Sequence, residues 1–309
     1  MIHGCTEGNP LFVADLLRQL RDRGTITETA GRWILAREVA NQLTQRWGVS
    51  VVVENKPGAA GNVGADAVAK SAPDGHTLLW GIDTTHTVNP HIYPSMPFKD
   101  SDLKPVAVLS SSGLMLGVHP GTGIRNAQEF LRKARSESLN FSSGGNGSPG
   151  HLWVNMVNIG AATRLIHVPY RGNSPAVMAV VSGEVHGGTL ATPGMLPQVK
   201  AGKITALAVT SAKRSVLAPE VPTVAEIGLA DLQSEVHYVV MAPGNTPEPL
   251  MQQLSQAILA VMQSPDLQAR LKQLDMTYLG LSGREAQSRL GKLHDQYGRV
   301  IRATGMKVD

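Results

Sequence analysis

The sequence predicts an α/β protein of two lobes, and three observations carry that reading. Short apolar, β-branched runs alternate with longer segments of helical period over most of the chain. The 309 residues exceed what a single hydrophobic core usually organises. The strand-like runs fall in three groups, before about residue 112, between 113 and 235, and again at 236–243, so the chain leaves a first unit and returns to it.

In chain order, Pro10 after Asn9 opens an amphipathic helix over 10–22. Residues 33–47, WILAREVANQLTQRW, read as a second helix that Gly48 stops. The continuous β-branched run VSVVVE (49–54) predicts a buried strand. The loop NKPGAAGN leads to a short helix at 62–70, and HTLLWGI (76–82) is the next strand. Four helix–strand pairs follow: 126–135 with 139–142, 149–160 with 164–168, 173–182 with 185–190, and 194–201 with 204–210. HYVVMAP (237–243) is a late strand, and 247–263, 265–274 and 284–302 are helical. This alternation predicts parallel strands. The crossings between lobes are expected in SSSGLMLGVHP (110–120) and LQSEVHYVVMAP (232–243). One lobe then comprises 32–112 with 236–309, the other 113–235, with 1–31 as a separate N-terminal segment. A cleft between two such lobes suits ligand closure by hinge bending.

Composition narrows the function. The formal charge of +4 comes with no dense Lys/Arg block, which speaks against a nucleic-acid partner and suits a small anionic ligand. Aromatic residues make up 4% of the chain, too few for platforms that stack sugars or bases. The one cysteine, Cys5, excludes an internal disulfide framework and a multi-cysteine metal site. The histidines do not fall at metal-ligand spacing; His86 and His91 are separated by Pro90, so no metal is expected. The N-terminus shows no basic region followed by an apolar core, so no signal peptide is visible, and no apolar stretch is long enough to span a bilayer.

The most informative stretch is NFSSGGNGSPGHLW (140–153), a glycine-rich loop between a strand and a helix. Gly145 to Gly150 match G-x-G-x-x-G, which makes a nicotinamide-dependent oxidoreductase the enzyme alternative. That fingerprint needs an acidic residue about 20 positions on, whereas the first carboxylate after the loop is Glu184. A P-loop fails because His151 and Leu152 replace the lysine and hydroxyl, and a nucleophile elbow fails because Asn146 replaces its first glycine. What remains is a set of hydroxyls, Ser142, Ser143 and Ser148, with free N–H groups at a helix start, a site suited to a carboxylate. A glycine-rich turn without a ligand is the competing reading. Three further strand-to-helix loops follow the same logic. GIDTTHTVNP carries Asp83, Thr84 and Thr85, of which Asp83 or Thr84 could equally cap a helical turn. VPYRGNSPA carries Tyr170 and Arg171, the latter equally readable as a surface charge, and GTLATPG carries Thr192 before Pro193. No paired carboxylates share a loop, so binding groups are present without a reactive constellation; this favours a receptor over an enzyme and calls for no cofactor.

VVVENKPGAAGNVGADAVAKSAPDGHTLL (51–79), SSGGNGSPGHL (142–152), VPYRGNSPAVMAVVSGEVHG (168–187), AGKITALAVTS (201–211) and PEVPTVAEIGL (219–229) occur in an order that resembles the extracytoplasmic solute receptors of tripartite tricarboxylate transporters, the Bug-type receptors. The match runs from about residue 34 to the C-terminus. The resemblance implies a two-lobed, type II periplasmic-binding-protein-like fold, a periplasmic monomer, capture of a small organic anion such as a carboxylate, and delivery to membrane permease subunits. By position it implies ligand loops at Asp83-Thr84-Thr85, at Ser142, Ser143, Gly144, Gly147 and Ser148 with His151, at Tyr170-Arg171-Gly172, and at Ala191-Thr192. Ala191 and Thr192 stand where family members often have an acidic or amide side chain, which disfavours a ligand amino group, and Asn155 stands where many have Glu. Family members also open with a signal peptide, a strand and a P-x-P-x-G-G loop. Here GTITETAGRW precedes the family-like helix, and only Ala30-Gly31 corresponds to that loop.

Overall fold

The structure, a computed structural model, describes residues 32–56 and 58–308. The expected helix at 10–22 and the segment 1–31 lie outside these residues. Helix α1 (Arg32–Trp47) opens the described chain and α2 (Asn62–Ala69) follows a glycine-rich loop. Strand β1 (Leu79–Ile82) leads into two single turns, α3 (Thr84–Thr87) and α4 (Asn89–Ile92). Strands β2 (Leu103–Ser112) and β3 (Leu114–Val118) are separated by Gly113 alone. The alternating region then comprises α5 (Ala127–Ser136), β4 (Leu139–Ser143), α6 (Pro149–Gly160), β5 (Leu165–Pro169), α7 (Asn173–Ser182), β6 (Gly187–Ala191), α8 (Thr192–Lys200) and β7 (Thr205–Val209). The chain closes with β8 (Val236–Pro243), α9 (Glu248–Met262), α10 (Pro265–Gln273), β9 (Thr277–Ser282) and α11 (Gly283–Thr304).

The strands sort into two sheets, β1-β8-β2-β9 and β5-β4-β6-β3-β7. Among the described strands only β4–β5 and β4–β6 pair parallel, which corrects the expectation of parallel strands. The reason lies in the crossings. Strand β2 runs out of the first sheet straight into β3 of the second, and β8 runs back, so the two pair antiparallel with Ser112 opposite Val236. Sequence patterning missed β2 because Pro105 reads as a strand breaker. The ladder accommodates it with a register shift between Pro105 and Ala107.

The strand expected at 49–54 does not form. An apolar run becomes a strand only when a neighbour pairs with it, and β1 pairs with β8 alone among the described residues. The Val51 N–H is instead held by the Thr44 hydroxyl at 2.9 Å, on α1.

Among the described residues the apolar side chains form three clusters. Leu35, Val39 and Leu43 of α1 pack with Val240 and Leu254 on one face of the first sheet. Met115, Val180, Leu190 and Met195 lie within the second lobe. The third cluster runs through both: Val88, Ile92 and Val239 join Phe130, Phe141 and Trp153, with Leu290, Tyr297 and Ile301 of α11 between them. Helix α11 touches both α3 and α6, so the C-terminal helix ties the lobes together.

Candidate functional site

The loop after β4 is shaped by its end residues. Ser143, the last residue of β4, is fully buried, and Ser148 caps α6 by accepting the His151 N–H at 3.4 Å. Pro149 follows at the first helical position, where its missing N–H is no loss. Between them the chain turns twice through left-handed backbone, at Gly145 (φ 125°) and Gly147 (φ 75°). A Cβ on Gly147 would lie 2.9 Å from Ile92 Cδ1 and 3.3 Å from Asn89 Oδ1. The loop of the second lobe thus meets α4 of the first at a point where only glycine fits.

The hydroxyls of this loop form a chain. Ser148 donates to Ser143 at 3.1 Å, and the Gly145 N–H also reaches Ser143 Oγ, at 3.2 Å. The Ser143 hydroxyl also lies within hydrogen-bond distance of the Gly145 carbonyl, at 3.1 Å, and makes its shortest contact with His167 Nε2, at 2.6 Å. His167 on β5 stacks on His151 with ring centroids 3.7 Å apart and planes 7° from parallel. The Gly147 N–H reaches His151 Nδ1 at 3.2 Å, which leaves Nε2 as the donor end of a neutral ring. Burial lowers His151 to about 4 and, with the neighbouring His151, lowers His167 to about 3.

The other predicted residues divide. Ser142 points to the opposite face of β4 and donates to the Ala176 carbonyl at 3.0 Å. The Asp83 carboxylate is closed off: Oδ1 accepts the His237 N–H at 2.8 Å and Oδ2 the Thr87 hydroxyl at 3.3 Å. Its own N–H returns to the His237 carbonyl at 2.9 Å, so Asp83 pins the end of β1 to the start of β8. Burial raises its pKa, offset in part by His237. Thr84 and Thr85 are buried beside it, and Thr85 donates to the Ala60 carbonyl at 3.4 Å. The Tyr170 hydroxyl is taken by Glu184 at 2.7 Å, and Arg171 is exposed. Gly172 (φ 111°) starts α7. Thr192 is fully buried with its hydroxyl unpartnered, and the Ala191 N–H is held by the Asn173 side chain at 2.9 Å. Asn155 donates to the His151 carbonyl at 3.0 Å, a bond within α6. Gly144 lies against Gly172 and Asn173, which joins the loops after β4 and β5.

Three features escaped the sequence reading. Gly58, Ala59, Ala60 and Gly61 all have positive φ (133°, 45°, 52° and 95°), and the two alanines carry strain there. The paired glycines of PGAAG were the available signal. Asn89 donates to Ala60 O at 3.1 Å and Asn62 Oδ1 at 2.7 Å, while its own Oδ1 is buried without a partner. Its neighbour Pro90 concealed it as a turn residue. His167 lies in mid-strand and gave no local signal. Among the described residues no group of three or more His, Cys, Asp or Glu side chains could hold a metal, and no helix is long and apolar enough to cross a membrane.

Comparison with known proteins places this geometry. Residues 35–306 match the model of the tripartite tricarboxylate transporter family receptor. The UPF0065 protein of the tcbD–tcbE intergenic region of Pseudomonas sp. strain P51 is 34% identical over 250 residues, 80% of this chain and 74% of that protein. A Rhodopseudomonas palustris protein solved with adipate superposes with a TM-score of 0.83 at 26% identity, covering 96% of this chain and 97% of the other. MatC of the same organism, solved with bound malate, superposes at 0.76 and 25% identity, covering 94% and 98%. The two-lobed periplasmic-binding-protein-like fold and a binding role without catalysis follow, and the nicotinamide alternative falls. The chain belongs to the receptor family of the tripartite tricarboxylate transporters.

Proposed function

We propose that this chain captures a small carboxylate, of the adipate or malate kind, between its lobes and delivers it outside the cytoplasm to membrane permease subunits. One observation carries the reading: the N-terminus of α6, with its serine cap and neutral His151 donor, faces Ala60, Asn89 and Ile92 of the first lobe across a single glycine. The Ser148 and His151 N–H groups are already held and Pro149 has none, so the helix start acts mainly through its dipole, which favours an anion by about 0.3–1 kcal/mol, and each charge-assisted hydrogen bond adds about 1.5–3 kcal/mol. Three such contacts sum to about 5–10 kcal/mol before ordering costs, the scale of the roughly 8 kcal/mol of micromolar binding.

In this reading the lobes are 32–112 with 236–309 and 113–235, and the protein acts as a monomer. Ser143, Gly144, Gly147, Ser148 and His151 form the anion side, with Thr84, Thr85 and Thr192 on the walls. Asp83, Ser142 and Tyr170 hold the loops in place through their internal bonds. Arg171, exposed beside Gly172, meets the far end of a longer ligand, and Ala191 leaves room at the fourth loop. The test is a thermal-unfolding and calorimetric panel of mono-, di- and tricarboxylates against the matching amides. A carboxylate at about 100 times its Kd adds about 2.7 kcal/mol of stability. Equal responses to acid and amide would refute an anion site.

A further inference from the structure

His167 lies outside every loop expected to touch ligand, yet it is the residue on which the donors of the second lobe depend. It sits on β5, in register with Phe141 of β4. Its ring covers the face of His151, and its Nε2 is hydrogen-bonded to the Ser143 hydroxyl at 2.6 Å. Ser143 in turn receives Ser148, the residue that caps the helix. One imidazole therefore fixes a ring, two hydroxyl rotors and a helix start.

We propose that His167 is a positioning residue of the carboxylate site, holding His151 as the neutral Nε2–H donor and the two serines in the one arrangement compatible with it. The proposal rests on the carboxylate reading above. The physical argument is that hydroxyls rotate freely unless an acceptor fixes them, and an imidazole can exchange its two tautomers unless its lone pair is held. Here the Gly147 N–H holds the His151 lone pair through a 3.2 Å contact in a turning loop, and the stacked ring prevents His151 from swinging out of that contact. The Ser143 hydroxyl is shared between His167 Nε2 and the Gly145 carbonyl, at 2.6 and 3.1 Å, so the ring nitrogen and the loop backbone together fix its rotor. The charged or titratable group acting on His167 is His151 itself, and burial alone acts on His151. The two rings thus form a closed unit whose state His167 sets.

Two variants separate the stack from the hydrogen bond. His167→Phe keeps a flat ring and removes the hydrogen bond to Ser143; His167→Gln keeps hydrogen bonding and removes the ring. Imidazole 15N shifts of His151 report its tautomer in the full chain without ligand. Adipate and malate titrations from about pH 5.5 to 8 report affinity. The expected result is a single Nε2–H tautomer of His151 in the wild type and a mixture in both variants. Affinity should fall about tenfold across that pH range, the loss of one oriented hydrogen bond. A His151 tautomer unchanged in both variants overturns the inference whatever the wild type binds. A wild type that binds neither acid counts against the carboxylate reading, while the tautomer measurement still decides the role of His167.

Discussion

Alanine at position 147 places one methyl group where the lobes meet. Two effects follow, and they act on different states. The backbone there is left-handed (φ 75°), which costs a non-glycine residue about 1–2 kcal/mol in every folded form, open or closed. The new Cβ lies 2.9 Å from Ile92 Cδ1, against the 3.5–4.0 Å of an optimal carbon contact, an overlap of about 0.6–1 Å. That overlap exists only when the loop rests against α4, so it opposes closure. Overpacking of this size costs about 1–3 kcal/mol. Gly147→Ala should therefore lower the unfolding temperature by a few degrees and weaken carboxylate binding about tenfold. Ile92→Val deletes the opposing Cδ1 atom and should restore most of the lost affinity in the double variant, while leaving the backbone strain in place. Calorimetric titration of the four proteins in this cycle is the assay. Unchanged affinity in Gly147→Ala, or a deficit that Ile92→Val leaves untouched, would refute a closure contact at this point.

Removing the Asp83 carboxylate leaves the buried His237 N–H without an acceptor, so Asp83→Ala should destabilise by about 1–3 kcal/mol while Asp83→Asn, which keeps an oxygen, costs less; urea unfolding distinguishes them. Ser148→Ala removes the α6 cap and a donor to Ser143, with an expected loss of about 0.5–2 kcal/mol in stability and weaker ligand binding in the same protein. Burial lowers His86 to about 4, so the unfolded chain takes up a proton below about pH 6.5 that the folded chain refuses. Stability is full above that pH and declines as pH falls toward about 4; His86 accounts for about 2 kcal/mol by about pH 5, and His86→Phe should remove that share from urea midpoints measured at about pH 7 and about pH 5.

The helices were the most legible part of the sequence, because capping and period agree locally. Pro149 after Ser148 set the start of α6, and the glycine after Ser182 set the end of α7. Strands that depend on distant partners were less so. VSVVVE has every local property of a buried strand and forms none, since pairing is decided by a neighbour and the sequence of the run does not contain it. Strand β2 was hidden by Pro105, whose register shift becomes visible only in the ladder. In the site, the loop at 142–151 was legible because glycines and serines crowd before a helix. The direction of each side chain was not. Adjacent Ser142 and Ser143 face opposite sides of β4, so one bonds the α7 backbone and the other joins the histidine pair. Asp83 was readable as polar at a strand end, but its acceptor role toward His237 spans 154 positions and could not be read locally.

The most direct test of carboxylate capture between the lobes is a crystal structure with the tightest-binding acid of the panel. On this account one carboxylate rests on the α6 N-terminus, within hydrogen-bond distance of His151 Nε2, and Thr84, Thr85 or Asn89 of the first lobe closes over the other end. An acid bound within one lobe, or away from residues 143–151, would contradict it.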